Sequence, residues 1–244
     1  SMETPPKKSF VASLMEATSF RTPSFREDTY FISHLKTSER KALKELKDQL
    51  MSLHGPDSMW GIPLLDGGDD RGDVVLLKFL RARDFRVPDA LAMLLKSLDW
   101  RKDFGADVVS EQDLVGFKEL DGVVAYMHGV DREGHPVCYN AYGVFRDSEM
   151  YDKYFGDDEK LKGFLRWRVQ VLERGIKVLD MKPGGVNSII QVTDLKDMPK
   201  RQLREASNRI LSLFQDNYPE FVARKVAGDT KSFFLPCHSL TVSF

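Results

Sequence analysis

The chain has 244 residues, of which 42% are hydrophobic and 30% charged, a composition typical of a soluble globular protein. Its 36 basic and 37 acidic residues give a net charge of −1, which argues against a general nucleic-acid-binding protein. No apolar run approaches the roughly 18 residues of a membrane span. The two cysteines stand in unrelated contexts and indicate a reducing compartment. We therefore expect a cytoplasmic protein without nucleic-acid partners.

The first 32 residues combine prolines, basic residues and recurrent phenylalanines, and they predict a flexible N-terminal arm. A short apolar segment at residues 9–17 is compatible with an amphipathic helix. The arm either contacts a membrane or a partner protein, or it packs its aromatic side chains on the folded domain or stays mobile. Because the apolar face is short for stable binding at a membrane, the second interpretation is favoured.

Residues 33–106 predict a small helical lobe. Apolar side chains recur at helical spacing over residues 38–53 and 73–83. Pro88, near the start of a third helix, opens a segment that continues to about Phe104. Three short helices bury little apolar surface alone, so we expect the lobe to pack on the segments that follow.

The next segment predicts a β-hairpin. Residues 123–130 and 136–142 are rich in Val and Tyr, and they flank a polar link in which Gly134 can adopt the positive φ of a tight turn. His135 and Cys138 lie in this segment, but no further ligand stands at zinc-binding spacing. We therefore predict no metal site and a buried, inert thiol.

Helix and strand alternate after the hairpin. A broad apolar face predicts a helix over residues 157–179, and a buried run predicts a strand over residues 186–193. Pro199 begins another helix, which stops near Tyr218. This order predicts an α/β fold with a mainly parallel sheet and right-handed crossovers.

No motif of a catalytic or nucleotide site appears. The sequence lacks a phosphate-binding P-loop, a dinucleotide-binding glycine motif, a nucleophile elbow and a kinase signature. We therefore expect no cofactor and no enzymatic activity.

Two polar segments are candidates for ligand binding. Arg83 follows Arg81 at the end of the second predicted helix and could bind an anion, although surface arginines more often pair with acids or cap helix carbonyls. Residues 215–220, QDNYPE, follow a strongly apolar helix. The periodicity of apolar residues alone predicts that this segment is the C-terminus of a helix, followed by a proline.

Five segments in a fixed order carry a family resemblance: LLKFLRAR at 76–83, WRK at 100–102, DREGHPV at 131–137, TDLK at 193–196 and QDNYPE at 215–220. Together they resemble the CRAL-TRIO phosphatidylinositol-transfer family. SFVASLMEATSF at 9–20 and WGIPLL at 60–65 resemble the plant patellins more closely. The resemblance implies an N-terminal helical lobe and an α/β lobe whose sheet floors an apolar pocket.

The resemblance also implies a function. The chain would be a non-enzymatic protein that holds one phospholipid or other hydrophobic ligand, with links to phosphoinositides and membrane trafficking. A peripheral membrane contact from the cytoplasm is implied with it. Apolar walls suit such a ligand, since each buried CH₂ contributes ~0.8 kcal/mol. The alternative is a ligand-free adaptor that touches membranes or partners through the N-terminal arm, or a non-functional truncated isoform.

Candidate site residues follow from the resemblance. Arg83 and Glu220 stand at positions that contact a lipid headgroup or close a conserved motif in the family. The candidate apolar pocket is formed by seven further side chains, which are Tyr126, Tyr139, Tyr142, Phe164, Ile189, Ile190 and Leu213.

The resemblance is expected to stop at Val226. The family continues there with a strand, a gate helix and a second pocket wall, and the patellins add a GOLD domain; none of these is recognisable in residues 226–244. We therefore expect an incomplete lipid-binding lobe over residues 112–225 and an atypical tail. An exposed apolar surface could then mediate oligomerisation.

Overall fold

A lobe of helices precedes a four-stranded sheet in the computed structural model, which describes residues 28–53, 58–65 and 68–228, with side chains described as far as Ala223. The lobe contains α1 (Thr37–Ser52), α2 (Arg71–Arg81), α3 (Val87–Phe104) and α4 (Ala106–Val109). A short antiparallel ladder of β1 (Ser58–Met59) and β2 (Ile62–Pro63) lies between α1 and α2.

The second part of the chain alternates between strands and helices. Its elements are β3 (Ala125–Val130), β4 (Pro136–Ala141), α5 (Ser148–Phe155), α6 (Asp158–Ile176), β5 (Ile189–Asp194), α7 (Arg204–Asn217) and β6 (Val222–Gly228). No helix in the described ranges is long and apolar enough to cross a membrane.

Local sequence signals explain where the main helices begin and end. The backbone N–H of Lys36 donates to Glu39 Oε2 at 2.8 Å at the start of α1. Asp157 caps α6 by accepting a hydrogen bond from the backbone N–H of Lys160 at 2.8 Å. Helix α3 has Pro88 in its first turn and ends at Gly105, whose φ of 70° suits a glycine at a helix C-terminus.

The sheet has the strand order β3-β4-β5-β6. β3 and β4 pair antiparallel, as a hairpin, whereas β4–β5 and β5–β6 pair parallel. This arrangement confirms the predicted α/β fold class with a mainly parallel sheet. Asn140 pairs with Thr193, while Tyr139 pairs with both Tyr126 and Val192. Because side chains alternate along a strand, the Asn140 and Tyr139 sets project from opposite faces of the sheet.

Lys78 ties the helical lobe to the sheet. Its side chain is fully buried, and its Nζ donates to the carbonyl oxygens of Asn187 at 2.7 Å and Glu220 at 2.8 Å. The same ammonium lies 4.4 Å from the ring centroid of Phe221. Since Asn187 precedes β5 and Glu220 precedes β6, α2 fixes where both strands enter the sheet.

Several predicted bounds differ from the structure. The long helix ends at Ile176 instead of 179, and the central strand begins at Ile189 instead of 186. The turn between them is held by Asn187, whose amide donates to the carbonyl oxygens of Lys182 at 2.9 Å and Gly185 at 3.0 Å. These local bonds compete with the regular elements on either side.

The expectation that no strand occupies the segment after Lys225 is wrong, because β6 continues to Gly228. Its sequence, VARKVAG, holds two adjacent charged residues and no apolar alternation. Such a strand is recognisable only through its pairing with β5, to which it is parallel. Helix α5 was also not predicted; it is short and begins where Asp147 accepts from the backbone N–H of Met150 at 2.9 Å.

Candidate functional site

A cavity of about 330 Å³ lies between one face of the sheet and the helices α6 and α7. From the sheet, Gln191 and Thr193 contribute polar side chains to its wall. From α7, Ile210, Leu211 and Phe214 contribute apolar ones. A wall that is polar on one side and apolar on the other is typical of a site for an amphiphilic ligand.

Arg168 of α6 is the most deeply placed charged group on this wall. Only 3% of the residue is exposed, and its Nη2 donates to Asn140 Oδ1 at 2.7 Å. Its Nε and Nη1 are enclosed by protein atoms without a well-formed hydrogen bond among the described residues, and the guanidinium lies beside the Cys138 thiol and the Tyr142 hydroxyl. Its guanidinium carbon lies 5.9 Å from the ring centroid of Phe214, so the charge borders the apolar side of the cavity.

The two titratable groups beside Arg168 stay protonated. Burial raises the pKa of the Tyr142 phenol and that of the Cys138 thiol, although the neighbouring Arg168 charge opposes both shifts. Tyr142 therefore presents a neutral hydroxyl on the cavity wall. Cys138 is buried, with only 2% exposed, and a protonated buried thiol is a poor nucleophile.

Of the predicted site residues, Tyr142 and Glu220 line this cavity. Tyr126 lines a second cavity of about 650 Å³ between the hairpin and α6. Tyr139 stacks on Tyr126 with the ring centroids 5.5 Å apart, on the face of the sheet opposite Asn140. The structure therefore divides the predicted tyrosines between the two faces of the sheet.

The other predicted apolar residues do not line either cavity. Phe164 is fully buried in an aromatic cluster, where its ring centroid lies 4.7 Å from that of Phe155. Ile189 and Ile190 are buried in β5, and Leu213 is half-buried on α7. A direct contact between these side chains and a ligand stays a prediction.

Arg83 and Glu220 are not brought together as an ion pair. The Arg83 Nη1 donates to the carbonyl oxygen of Ala82 at 2.8 Å, and Arg83 does not line the cavity. Arg81 is a cation that interacts electrostatically with Glu220: burial lowers the pKa of Arg81, and the Glu220 charge partly opposes this shift. Arg81 also pairs with Asp28. A headgroup contact by Arg83 stays a prediction.

A buried ionic network lies behind the cavity. Arg101 of α3 donates to Glu173 Oε1 of α6 at 2.7 Å, and both side chains are almost fully buried. The Tyr218 hydroxyl donates to the same oxygen at 2.6 Å. Burial lowers the pKa of Arg101, but hydrogen bonding to Glu173 and the charge of Glu173 raise it overall. Burial and the Glu173 charge raise the pKa of Tyr218 well above its usual value.

Three potential metal ligands do meet in the hairpin turn. Ligand atoms of Asp131, Glu133 and His135 lie within 4.8 Å of one another. However, Asp131 Oδ1 already accepts from the backbone N–H groups of Glu133 at 2.9 Å and His135 at 2.8 Å. These bonds are those of an Asx turn, so the cluster is explained as a turn stabilised by its aspartate.

Sequence reasoning missed Arg168, Asn140 and Glu173. A signal for Arg168 was present, since it stands four residues after Phe164 and four before Leu172, in the middle of the apolar stripe of α6. A charged residue at such a position is buried and needs a partner. Asn140 gave no comparable signal, because only the strand register shows which face it occupies.

Comparisons with known proteins agree with this architecture. The family model described as CRAL/TRIO domain matches residues 120–244, and that of the CRAL/TRIO N-terminal domain matches residues 40–96. Patellin-6 of Arabidopsis thaliana is 62% identical over 242 residues, covering 99% of this chain and 58% of that protein. Patellin-3 of the same plant is 51% identical, covering 91% of this chain and 46% of that protein.

More distant relatives share the fold. The phosphatidylinositol transfer protein SFH5 of Meyerozyma guilliermondii is 26% identical over 83% of this chain and 67% of its own length. The crystal structure of Sfh5 superposes with a TM-score of 0.65 at 21% identity, covering 79% of this chain and 70% of that one. At 21% identity, the superposition shows a shared fold and does not show a shared function.

These matches bear on the predicted limits of the resemblance. The resemblance to patellins, inferred from the motifs, is confirmed. The family model continues through residue 244, and the Patellin-6 alignment covers nearly the whole chain, so the similarity extends beyond Val226. The chain spans a little over half the length of Patellin-6 and less of Patellin-3.

Proposed function

Because the chain belongs to the CRAL/TRIO domain family, we propose that it is a non-enzymatic protein that binds a lipid and transfers it between membranes. The cavity between the sheet and α7 carries this proposal. Its volume of about 330 Å³ lies at the lower end of the roughly 300–1,000 Å³ typical of ligand sites. It is large enough for a headgroup or for part of one acyl chain.

The finer proposal concerns the ligand and its setting. Phosphatidylinositol and its phosphorylated forms are the first phospholipids to test, since SFH5 is named as a phosphatidylinositol transfer protein. The protein would act from the cytoplasm, in peripheral contact with a membrane, and in membrane trafficking. Oligomerisation through an exposed apolar surface also stays a prediction.

The proposed division of labour follows the predicted domains. Residues 33–106 form the helical lobe and residues 112–225 hold the lipid, while residues 1–32 serve as an arm and residues 226–244 as a tail. Most of the arm and tail lies outside the described residues. The alternative function as an adaptor depends on that arm, and no contact in the described residues favours it.

A transfer assay with a blocked cavity tests the proposal. Leu211 lines the cavity, so Leu211→Trp should fill it and abolish transfer of fluorescent phosphatidylinositol between vesicles. Ser212→Trp is the matched control, because Ser212 is the next residue of α7 but is exposed and does not line the cavity. Equal transfer by both variants, at equal thermal stability, would place the ligand elsewhere.

A further inference from the structure

We infer that Arg168 is the inner anion-binding group of this cavity, and that it receives a phosphate or carboxylate carried at the end of an apolar chain. This inference rests on the proposed lipid-binding function and assigns the class of ligand. The ligand is an anionic amphiphile that enters with its head toward α6 and leaves its chain along α7.

The charge state of Arg168 is the first step of the argument. A guanidinium does not lose its proton in a protein, so the 3% exposed Arg168 is a buried positive charge. A buried charge lowers stability unless it is paired. No carboxylate among the described residues forms an ion pair with it; the polar groups beside it are the neutral Asn140 amide, Tyr142 hydroxyl and Cys138 thiol.

Two other arginines of this protein, Arg101 and Arg166, have more hydrogen-bond or ion-pair partners than Arg168. Arg101 is equally buried, but it pairs with both Glu173 and Asp107. Arg166 stands two residues before Arg168, and its guanidinium donates to Gln112 Oε1 at 2.8 Å and to the carbonyl oxygen of Phe104 at 2.7 Å. Arg168, whose well-formed hydrogen bond among the described residues is the one to Asn140 Oδ1, therefore has fewer acceptors than either of them.

Asn140 holds the guanidinium in place. The Asn140 amide donates through Nδ2 to the carbonyl oxygen of Val192 at 3.2 Å, which leaves Oδ1 as the acceptor for Arg168 Nη2. This double contact fixes the side chain of Asn140 between β4 and β5. Asn140 is thus a positioning residue, which holds the guanidinium on the cavity wall where an oxyanion can approach its positive charge.

The rest of the wall sets the orientation of the ligand. Tyr142 keeps its proton because burial raises its pKa, so its hydroxyl can donate to an anion beside Arg168. The carboxylate of Glu220 is exposed at the rim and repels an anionic head there. Ile210 and Phe214 offer apolar contacts to the chain. The negative head is therefore favoured at the inner end.

Single-chain ligands that differ only in the head test this inference. Oleate carries a carboxylate, oleoyl-lysophosphatidate carries a phosphate, and monooleoylglycerol is neutral with the same chain. We expect the wild-type protein to bind at least one anionic ligand about tenfold or more tighter than monooleoylglycerol. Comparison of oleate with oleoyl-lysophosphatidate shows which oxyanion is preferred, and inorganic phosphate alone should compete weakly.

Substitution of Arg168 is the second test of this inference. Arg168→Met should remove the preference for an anionic head while keeping affinity for monooleoylglycerol, and Arg168→Lys should retain part of the preference. The ligand-free Arg168→Met protein should melt at the same or a higher temperature, because an unpaired buried charge is gone. Arg166→Met is the matched control: it should melt at a lower temperature and keep the preference.

The outcomes separate this inference from the proposed function. If the wild-type protein binds monooleoylglycerol as tightly as the anionic ligands, or if Arg168→Met keeps the preference, the inference is wrong while lipid binding stands. Inorganic phosphate that competes as well as oleoyl-lysophosphatidate would show a site for a free anion. Failure of the wild-type protein to bind any of the three lipids would overturn the inference, whereas failure to transfer phosphatidylinositol would overturn the proposed function.

Discussion

Glu173 is the residue at which three separate segments of the chain meet. Its Oε1 accepts hydrogen bonds from Arg101 at 2.7 Å, from the hydroxyl of Tyr218 at 2.6 Å and from Trp60 Nε1 at 3.4 Å. Arg101 lies in the WRK segment, Tyr218 in QDNYPE and Trp60 in WGIPLL. Three of the segments that carried the family resemblance therefore contact one another in the interior.

Removal of this acceptor should destabilise the fold strongly. Glu173→Ala leaves Arg101 buried with only Asp107 as an acidic partner, and loss of one partner of a buried pair typically costs about 3–5 kcal/mol. Denaturant unfolding of the two proteins measures the difference. Glu111→Ala, which removes an exposed pair with Lys177, is the control and should have little effect. Equal effects of the two substitutions would contradict this account of the network.

Tyr218 should make stability sensitive to alkaline pH. Burial and the Glu173 charge raise its pKa well above the usual value of about 10, so above that pH the folded chain keeps a proton that the unfolded chain has released. The stabilisation that protonated Tyr218 gives the folded state is fully present below about pH 10 and is lost as the pH rises toward the folded-state pKa.

Unfolding free energies measured at a series of values between about pH 9 and pH 11 test this prediction. The wild-type protein should lose stability over this range, and Tyr218→Phe should show a smaller loss because the proton is no longer involved. The same slope in both proteins would assign the alkaline sensitivity to other groups.

At the scale of elements, the end of β4 packs directly against the loop that follows β5. A Cβ built at Gly143 would stand 2.6 Å from the carbonyl oxygen of Lys196, which is too close for any side chain. Gly143 therefore allows the two segments beyond the parallel pair β4–β5 to approach each other. Both segments follow the strands that line the cavity.

Gly143→Ala should destabilise the protein by about 1–3 kcal/mol, as overpacking of a close contact typically does. Gly116→Ala is the matched control, because a Cβ at Gly116 meets nothing within 4 Å. Thermal unfolding of the two variants measures the difference. If Gly143→Ala were as stable as Gly116→Ala, the loop after β5 would have to be able to move away without cost.

The main elements could be predicted from sequence because they bury one regular face. Leucines at helical spacing located α1 and α3, and the apolar runs located the hairpin and β5. β6 could not be found this way, since its residues VARKVAG gain strand structure only through pairing with β5. The spacing of apolar residues along a segment indicates which of its faces is buried. Pairing between segments that are distant in sequence produces no such spacing.

The candidate site was predictable only in part, for a related reason. The family motifs led to Glu220, which lines the cavity, but Arg83 from the same reasoning does not. Tyr126 and Tyr139 were grouped with Tyr142, although the strand register places them on the other face. Register depends on which residues pair across strands, and one sequence alone does not determine it.

At the scale of the whole molecule, the helical lobe is part of the architecture of the site. Lys78 of α2 holds the carbonyl oxygen of Glu220 at the cavity rim, and Ala82 at the end of the same helix lines the wall. Glu220 has a φ of 55°, a conformation that a residue with a side chain adopts only when its surroundings hold it. The lobe thus shapes the rim while the sheet and α6 supply the floor.

The central claim is that one lipid occupies the cavity between the sheet and α7. Native mass spectrometry of the protein after incubation with phosphatidylinositol-containing vesicles measures this most directly. The account predicts a folded protein with one lipid-sized adduct per chain, which is absent from Leu211→Trp and retained by Ser212→Trp. A protein that emerges without lipid, or adducts that are the same in Leu211→Trp, would contradict it.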